Sequence, residues 1–138
     1  MNATDASSQT ESEIDRWTRE FFATIDRMDA AGFGRHFAAD GRFRFANQPT
    51  VTGPESIAAG AGFIFGVLES IRHEMLKRWV AADDVLVEGL VHYRRAADGQ
   101  TFSFPFLSVF EFSEQRPGPI QEYRVFVDSH ELFLPPAS

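Results

Sequence analysis

The apolar pattern is densest between Thr101 and Asp128, where two strands are predicted. TFSFPFLSVFEF and IQEYRVFVD are joined by the turn-rich SEQRPGP. The first strand is apolar on both faces, which is typical of a strand inside a sheet that is covered on both sides. By the two-residue period, one face carries Phe102, Phe104, Phe106, Ser108, Phe110 and Phe112. We therefore expect this strand to organise the core.

An amphipathic helix is predicted near the start of the chain, from about Glu11 to Ala31. Thr10 and Glu13 form a capping-box pattern. Its apolar face, at helical spacing, consists of Ile14, Trp17, Phe21, Ile25 and Met28. Residues 1–9 are small and polar, and we expect them to form a disordered tail.

The middle of the chain changes from helix to strand. Gly32 should end the first helix, and FGRHFAAD indicates a short second helix. The strand GRFRFAN follows, with Phe43 and Phe45 on one side and its arginines on the other.

The rest of the chain reads as a third helix and a meander of strands. Thr52 or Gly53 can cap a helix that has Pro54 at its first position and runs to about Ser70. Strands are predicted at about His73 to Val80 and Val85 to Arg95, and a hairpin turn follows them. The prolines of the terminal LFLPPAS should prevent a further element.

Helices followed by a long antiparallel meander predict the α+β class, with the helices on one face of a curved sheet. The chain has 138 residues, 43% of them hydrophobic, which fits one domain with a single core. We assign that domain to residues 10–134.

Charge and composition exclude several classes of function. Thirteen basic and twenty acidic residues give a net charge of −7, and no basic stripe is present, so we expect no nucleic-acid partner. The chain has no cysteine, which excludes disulfides and thiolate metal sites. No apolar run has the length of a membrane span and the N-terminus does not resemble a signal peptide, so we predict a cytoplasmic protein that does not bind membranes.

From Trp17 to Leu134 the chain resembles SnoaL-like proteins of the nuclear transport factor 2-like superfamily. The resemblance lies in FAADGRFRFANQPTVTGPESI, RHEM, VHYRRAADG and IQEYRVFVD followed by a leucine. It implies a cystatin-like, cone-shaped α+β barrel, a curved antiparallel sheet wrapped around the N-terminal and middle helices, whose open end holds a small, often apolar molecule. Known members include polyketide cyclases, ketosteroid isomerases, limonene epoxide hydrolases and noncatalytic scaffolds.

The positions that match the catalytic residues of the family carry other residues here. The tyrosine and two carboxyl groups of the isomerases correspond to Phe21, Phe45 and Ser108. The carboxylate that hydrolases and cyclases place on the last strand corresponds to Val125, and the arginine of the hydrolases falls near Gly89. The usual chemistry of the family is therefore not expected from these positions.

Two ionisable residues remain as candidates for catalysis. Asp128 ends the last strand, where similar sequences have an aspartate, and could act as a general acid or base at the pocket mouth. Alternatively it accepts backbone hydrogen bonds in the following turn or pairs with Arg124. His73 could move protons near neutral pH, or could be a strand-end histidine with satisfied hydrogen bonds. The spacing of the four histidines indicates no metal site, and we expect no cofactor.

The strand faces also predict a ligand pocket with apolar walls. The candidate ligand-binding residues are Phe43, Phe45, Asn47, Val91, Phe104, Phe106, Ser108, Tyr123, Val125 and Val127. Tyr123 and Ser108 would orient a ligand by hydrogen bonds, although Tyr123 could equally be a core aromatic residue.

Two functions remain open at this stage. The first is a binding protein for a hydrophobic cyclic or polyketide-like molecule, and the second is a cofactor-independent cyclase, isomerase or hydrolase that uses Asp128. A homodimer is predicted through the outer face of the sheet, where apolar and charged side chains are mixed. That face carries Leu86, Glu88, Leu90, His92, Leu107, Val109, Glu111, Arg124 and Phe126.

Overall fold

The computed structural model of the protein describes the backbone of residues 3–135 and the side chains of residues 12–135. Its helices are α1 (Ala3–Asp26), α2 (Ala30–Arg35) and α3 (Pro54–Gly66), with a short 3-10 helix at His130–Phe133. Its strands are β1 (Phe37–Phe45), β2 (Val51–Thr52), β3 (Leu68–Ala81), β4 (Asp84–Arg95), β5 (Thr101–Phe112) and β6 (Ile120–Val127). No helix in this range is long and apolar enough to cross a membrane.

The strands form one curved, open sheet in the order β2-β1-β6-β5-β4-β3 within the described range. Strands β3 to β6 are an antiparallel meander, and β1 is parallel to β6. Register shifts interrupt β1, β3 and the β5–β6 pair, and such bulges increase the local twist and bend of a sheet. The α+β class and the cone-shaped sheet around the helices are confirmed.

The core lies between the helices and the inner face of β5. The inner face predicted for β5 is confirmed, because Phe102 to Phe110 are buried at every second position on it. The cover expected on the outer face is incomplete, because Thr101, Ser103 and Pro105 are exposed. From α1, Phe21 is fully buried, and its ring centroid lies 5.1 Å from those of Phe110 and Tyr123. Edge-to-face aromatic contacts of this kind add to the stabilisation from burial, which is about 1.5–3 kcal/mol for each large apolar side chain.

The predicted end of the first helix was wrong. Helix α1 ends at Asp26, because Met28 has a left-handed backbone with a φ of 55° and Asp29 caps a new helix. The Asp29 carboxylate accepts a hydrogen bond from the N–H of Gly32 at 2.9 Å, so this glycine lies inside α2 instead of separating two helices. Gly34 also lies within α2, where a Cβ would come within 2.6 Å of the Pro54 carbonyl oxygen, so it permits close packing of α2 on α3.

Several boundaries differ from the predicted ones by a few residues. The α1 backbone begins at Ala3, before the predicted start of the helix. Residues 1 and 2 of the expected tail lie outside the described range. The limits of the domain stay a prediction. Gly53 is the N-cap of α3, which ends at Gly66, so β3 begins earlier than predicted. The C-terminal segment contains an unexpected 3-10 helix because Leu132 is buried and Arg95 donates hydrogen bonds to its carbonyl groups.

Candidate functional site

An apolar cavity lies between the helices and the inner face of the sheet. Its volume is about 40 Å³, little more than the space of one or two water molecules. Seven of the predicted ligand-binding residues line it, namely Phe43, Phe45, Val91, Phe106, Tyr123, Val125 and Val127. Ile25, Phe33, Ala61, Ile64, Phe65, Ile71, His73 and Tyr93 complete its wall. The structure thus brings the predicted apolar residues together, and their binding of a ligand stays a prediction.

The other three predicted residues lie outside this wall. Phe104 packs between the rings of Phe102 and Tyr93 beside the cavity. Ser108 is fully buried behind it, and Asn47 is exposed in a separate groove on the surface. The period of a strand specifies the face on which a side chain lies but not its depth along that face.

His73, on β3, is the ionisable side chain of the cavity wall that forms an ion-pair contact. Its Nδ1 lies 2.6 Å from Oδ1 of Asp26, at the end of α1. The backbone N–H of His73 also donates to both oxygens of that carboxylate, each at 3.1 Å. The side chains are 8% and 28% exposed, respectively. The three contacts fix both the imidazole and the carboxylate in place.

The Asp26 carboxylate determines which ring nitrogen of His73 carries the proton in the neutral imidazole. A carboxylate at Nδ1 accepts the Nδ1–H, so in the neutral imidazole Nε2 carries the free lone pair. An imidazole that faces an apolar cavity and is supported by a carboxylate can remove a proton from a ligand and return it. Sequence reasoning missed Asp26, although it follows the buried Phe22 by four residues and therefore lies on the same side of α1. The Phe22 ring packs 4.7 Å from that of His73.

Tyr93, on β4, was also missed as a polar group of the cavity. It is 4% exposed and its ring lines the cavity, yet its hydroxyl makes no hydrogen bond with any residue whose side chain is described. Burial, with smaller contributions from Tyr123 and Asp26, raises the pKa of this hydroxyl. It therefore keeps its proton at neutral pH and can donate a hydrogen bond to a ligand.

The Tyr123 and Ser108 hydroxyls hydrogen-bond to each other at 3.0 Å. The Tyr123 ring stacks between those of Phe110 and Phe43, at 4.6 Å and 5.4 Å. Burial raises the pKa of its hydroxyl. Because the two hydroxyls bind each other, Tyr123 matches the alternative in which it is a core aromatic residue. Its hydrogen-bond partner is the Ser108 side chain.

Asp128 lies outside the cavity, in an exposed groove of about 710 Å³ that also holds Asn47 and Arg44. Its Oδ1 accepts a hydrogen bond from the backbone N–H of His130 at 3.2 Å, as the alternative for this residue anticipated. The structure thus separates the two candidate catalytic residues, since His73 lines the cavity and Asp128 does not. A catalytic role of Asp128 stays a prediction.

A second, apolar groove of about 570 Å³ covers the mouth of the cavity. It shares Phe43, Phe45 and Ile64 with the cavity wall, so the two spaces are neighbours across these side chains. Phe63 and Phe133, both exposed, form its outer rim. Displacement of Phe45 and Ile64 would join the groove to the cavity and make room for a ligand larger than the cavity itself.

Two further features limit the chemistry of the site. At Gly89, where the hydrolase arginine falls, a Cβ would come within 2.2 Å of the Glu74 carbonyl oxygen and 2.9 Å of Phe106, so no larger residue fits there. Within the described residues, no group of three or more His, Asp or Glu side chains is arranged to hold a metal ion. Of the three polar side chains in the cavity wall, the Tyr123 hydroxyl is engaged by Ser108, so His73 and Tyr93 are the two candidates for contact with a ligand.

Comparisons with known proteins agree with this geometry. A search of curated protein sequences finds no match. Among solved structures, a ketosteroid isomerase-like protein of Catenulispora acidiphila in complex with trimethylamine is 21% identical, with a TM-score of 0.69 over 77% of this chain and 80% of that chain. An LEH-like epoxide hydrolase of M. tuberculosis is 16% identical, with a TM-score of 0.69 over 88% and 87% of the two chains.

TerC, co-crystallised with polyporic acid, is 18% identical, with a TM-score of 0.69 over 80% of this chain and 90% of that chain. At these identities the structures show a shared fold and not a shared activity. The model of the SnoaL-like domain family matches residues 18–120, most of the chain. The chain therefore belongs to the SnoaL-like domain family.

Proposed function

We propose that the protein binds a small, mainly apolar molecule in the cavity and its mouth, and that His73, held by Asp26, transfers a proton on that molecule. The observation that carries this proposal is the 2.6 Å contact between the two side chains at a cavity whose wall is otherwise apolar. Desolvation of a carboxylate beside an apolar wall is costly, so the position of the Asp26–His73 pair there favours a chemical role in addition to its structural one.

The reaction requires no cofactor. Nε2 of His73 accepts a proton from a carbon next to a carbonyl group of the ligand, and the imidazolium that forms is stabilised by the Asp26 carboxylate. The electron pair left on the ligand moves to an oxygen, which receives a hydrogen bond from the Tyr93 hydroxyl. Return of the proton from His73 to a different carbon of the resulting enolate re-forms the carbonyl group and completes an isomerisation. In a cyclisation the enolate carbon instead forms a bond to a second carbonyl carbon of the ligand, whose oxygen takes the proton from His73.

The apolar lining favours a cyclic or polyketide-like ligand, which would occupy the cavity together with its mouth. Aromatic and branched aliphatic side chains line both the cavity and its mouth, so affinity would come mainly from burial of apolar surface. The structural relative TerC was crystallised with polyporic acid, which supports the same class of ligand.

The noncatalytic alternative is favoured by a different observation. The cavity of about 40 Å³ is too small for a ring system unless the mouth opens, and the positions of the usual family carboxylates carry Phe45, Ser108 and Val125. A binding protein would use the pocket without the proton transfer. The version of the enzyme that uses Asp128 has less support, because that carboxylate is exposed and already accepts a backbone hydrogen bond.

Exchange of the α-protons of 2-tetralone in D₂O, followed by NMR, tests the proposal. We expect the wild type to accelerate exchange over buffer, His73→Ala to abolish the acceleration while still binding the ketone, and Asp128→Asn to match the wild type. Binding without exchange would support the noncatalytic alternative. Loss of exchange in Asp128→Asn alone would transfer the role of base to Asp128.

We also propose a homodimer through the outer face of the sheet. Phe126 is 42% exposed there, Trp79 is exposed, and Leu86, Leu90 and Leu107 are half-buried. Burial of such side chains is the main favourable contribution to association, and it opposes the entropic cost. The cytoplasmic location stays a prediction.

A further inference from the structure

Arg44, on the outward side of β1, has an unusual environment for a guanidinium group. It makes no hydrogen bond or ion pair with any residue in the described range, and its Nε is inaccessible to solvent without a partner. Arg42, two residues earlier on the same strand, is by contrast bonded to Glu122 at 2.6 Å. Arg44 also lines a surface groove, so its guanidinium is placed to accept a partner from outside the chain.

The groove around Arg44 favours a planar anion. The guanidinium carbon lies 5.6 Å from the centroid of the Phe126 ring, and this contact leaves N–H groups available for hydrogen bonds. Asn47 and Gln48 add amide donors on the same groove, which has a volume of about 710 Å³. Asp128 lines it as well, and its Oδ1 is engaged by the His130 backbone N–H.

A continuous surface connects Arg44 with the cavity. The Arg44 groove shares Gln48 and Phe133 with the apolar groove at the mouth. The apolar groove in turn shares Phe43, Phe45 and Ile64 with the cavity that contains His73. One elongated molecule could therefore lie along all three spaces.

We propose that Arg44 binds the carboxylate of an apolar acid, whose body lies in the apolar groove and points towards His73. A guanidinium can donate two parallel hydrogen bonds to the two oxygens of a carboxylate. Among the described residues, no carboxylate forms an ion pair with Arg44, whereas Arg42 and Arg124 both pair with Glu122. The inference rests on the proposed use of the cavity by a small molecule and specifies the class of that molecule as an apolar carboxylic acid.

Calorimetric titration with two matched probes, 1-naphthaleneacetate and 1-naphthaleneacetamide, tests this assignment. The probes share the apolar body and differ in charge. We expect the wild type to bind the acid about tenfold more tightly than the amide, since a charge-assisted hydrogen bond is worth at least that factor. Arg44→Gln should bind both probes equally, Arg44→Lys should keep part of the preference, and the control Arg42→Gln should keep all of it.

Several results would overturn the inference. Equal affinity of the wild type for the two probes, or equal effects of Arg44→Gln and Arg42→Gln, would show that Arg44 does not bind the acid. A fall in the light-scattering mass of Arg44→Gln with an unchanged preference would show that Arg44 pairs with a second copy of the chain. Failure of both probes to bind would also reject the inference, while exchange of the neutral 2-tetralone decides separately whether the cavity has the proposed function.

Discussion

The imidazole of His73 meets the carboxylate of Asp26 at 2.6 Å across 47 residues of sequence. The pair joins the end of α1 to β3, and the backbone N–H of His73 adds two further contacts to the same carboxylate. Asp26 therefore has two roles. It orients the imidazole that faces the cavity, and it fastens the helix to the sheet.

Replacement of Asp26 by alanine should lower the free energy of unfolding by about 1–3 kcal/mol, since it leaves the backbone N–H and the Nδ1–H of His73 without an acceptor. Urea unfolding followed by circular dichroism measures the effect. Asp15→Ala is the matched control on the same helix, because its pair with Arg19 is exposed and should contribute less than about 1 kcal/mol. Equal effects of the two changes would contradict a structural role for the Asp26 contacts.

The buried hydrogen bond between Ser108 and Tyr123 predicts that the stability effects of changes at these two residues are not additive. Ser108→Ala should cost about 1–3 kcal/mol, because the Tyr123 hydroxyl then has no partner in a fully buried position. The double variant with Tyr123→Phe should recover part of that loss, since neither polar group remains. Thr101→Ala, at an exposed position on the outer face of the same strand, should change stability by less than about 0.5 kcal/mol. Additive effects at Ser108 and Tyr123 would argue against the hydrogen bond.

The proposed homodimer can be tested by placing a charge on the outer face of the sheet. Leu107→Glu should weaken association at least tenfold, because it places a carboxylate opposite Glu88 in the interface. Light scattering at micromolar concentration should then give the mass of the monomer. Phe63→Glu adds the same charge at an exposed phenylalanine of α3 and should leave the mass unchanged. A wild-type protein that is monomeric at this concentration would reject the dimer.

The Arg95–Asp98 ion pair predicts a dependence of stability on acid pH. Bidentate hydrogen bonds from Arg95, with help from the Gln100 backbone N–H, lower the pKa of Asp98 to about 2. A lowered pKa in the folded state means that this stabilisation is fully present above the pKa of the unfolded chain, near 3.9, and is lost as the pH falls through 2. Asp98→Asn should therefore be less stable than the wild type at neutral pH, and the difference should shrink between pH 4 and 2.

Thermal unfolding of the two proteins across that range measures the change. Because Arg95 also donates to the Leu132 and Leu134 carbonyl groups, loss of Asp98 should loosen the C-terminal segment first. A stability difference that is independent of pH would show that the pair does not contribute in this way.

The sequence alone determined the class of the fold, the family and the inward-facing side of β5, whereas residues 37–40 and 68–70, predicted as helix, are strand. Alternation in β5 placed its phenylalanines inside, and seven of ten predicted pocket residues line the cavity. These properties follow from local geometry, because a two-residue period fixes the direction of each side chain.

Only the tertiary structure decided which polar groups meet. Asp26 and His73 come together because α1 stops at Asp26 and β3 begins five residues before His73. Ser108 faces Tyr123 because the β5–β6 register sets Ser108 opposite Val125. Helix ends, bulges and strand register depend on contacts between residues distant in sequence, and a local pattern of apolar and polar residues contains no measure of those distances.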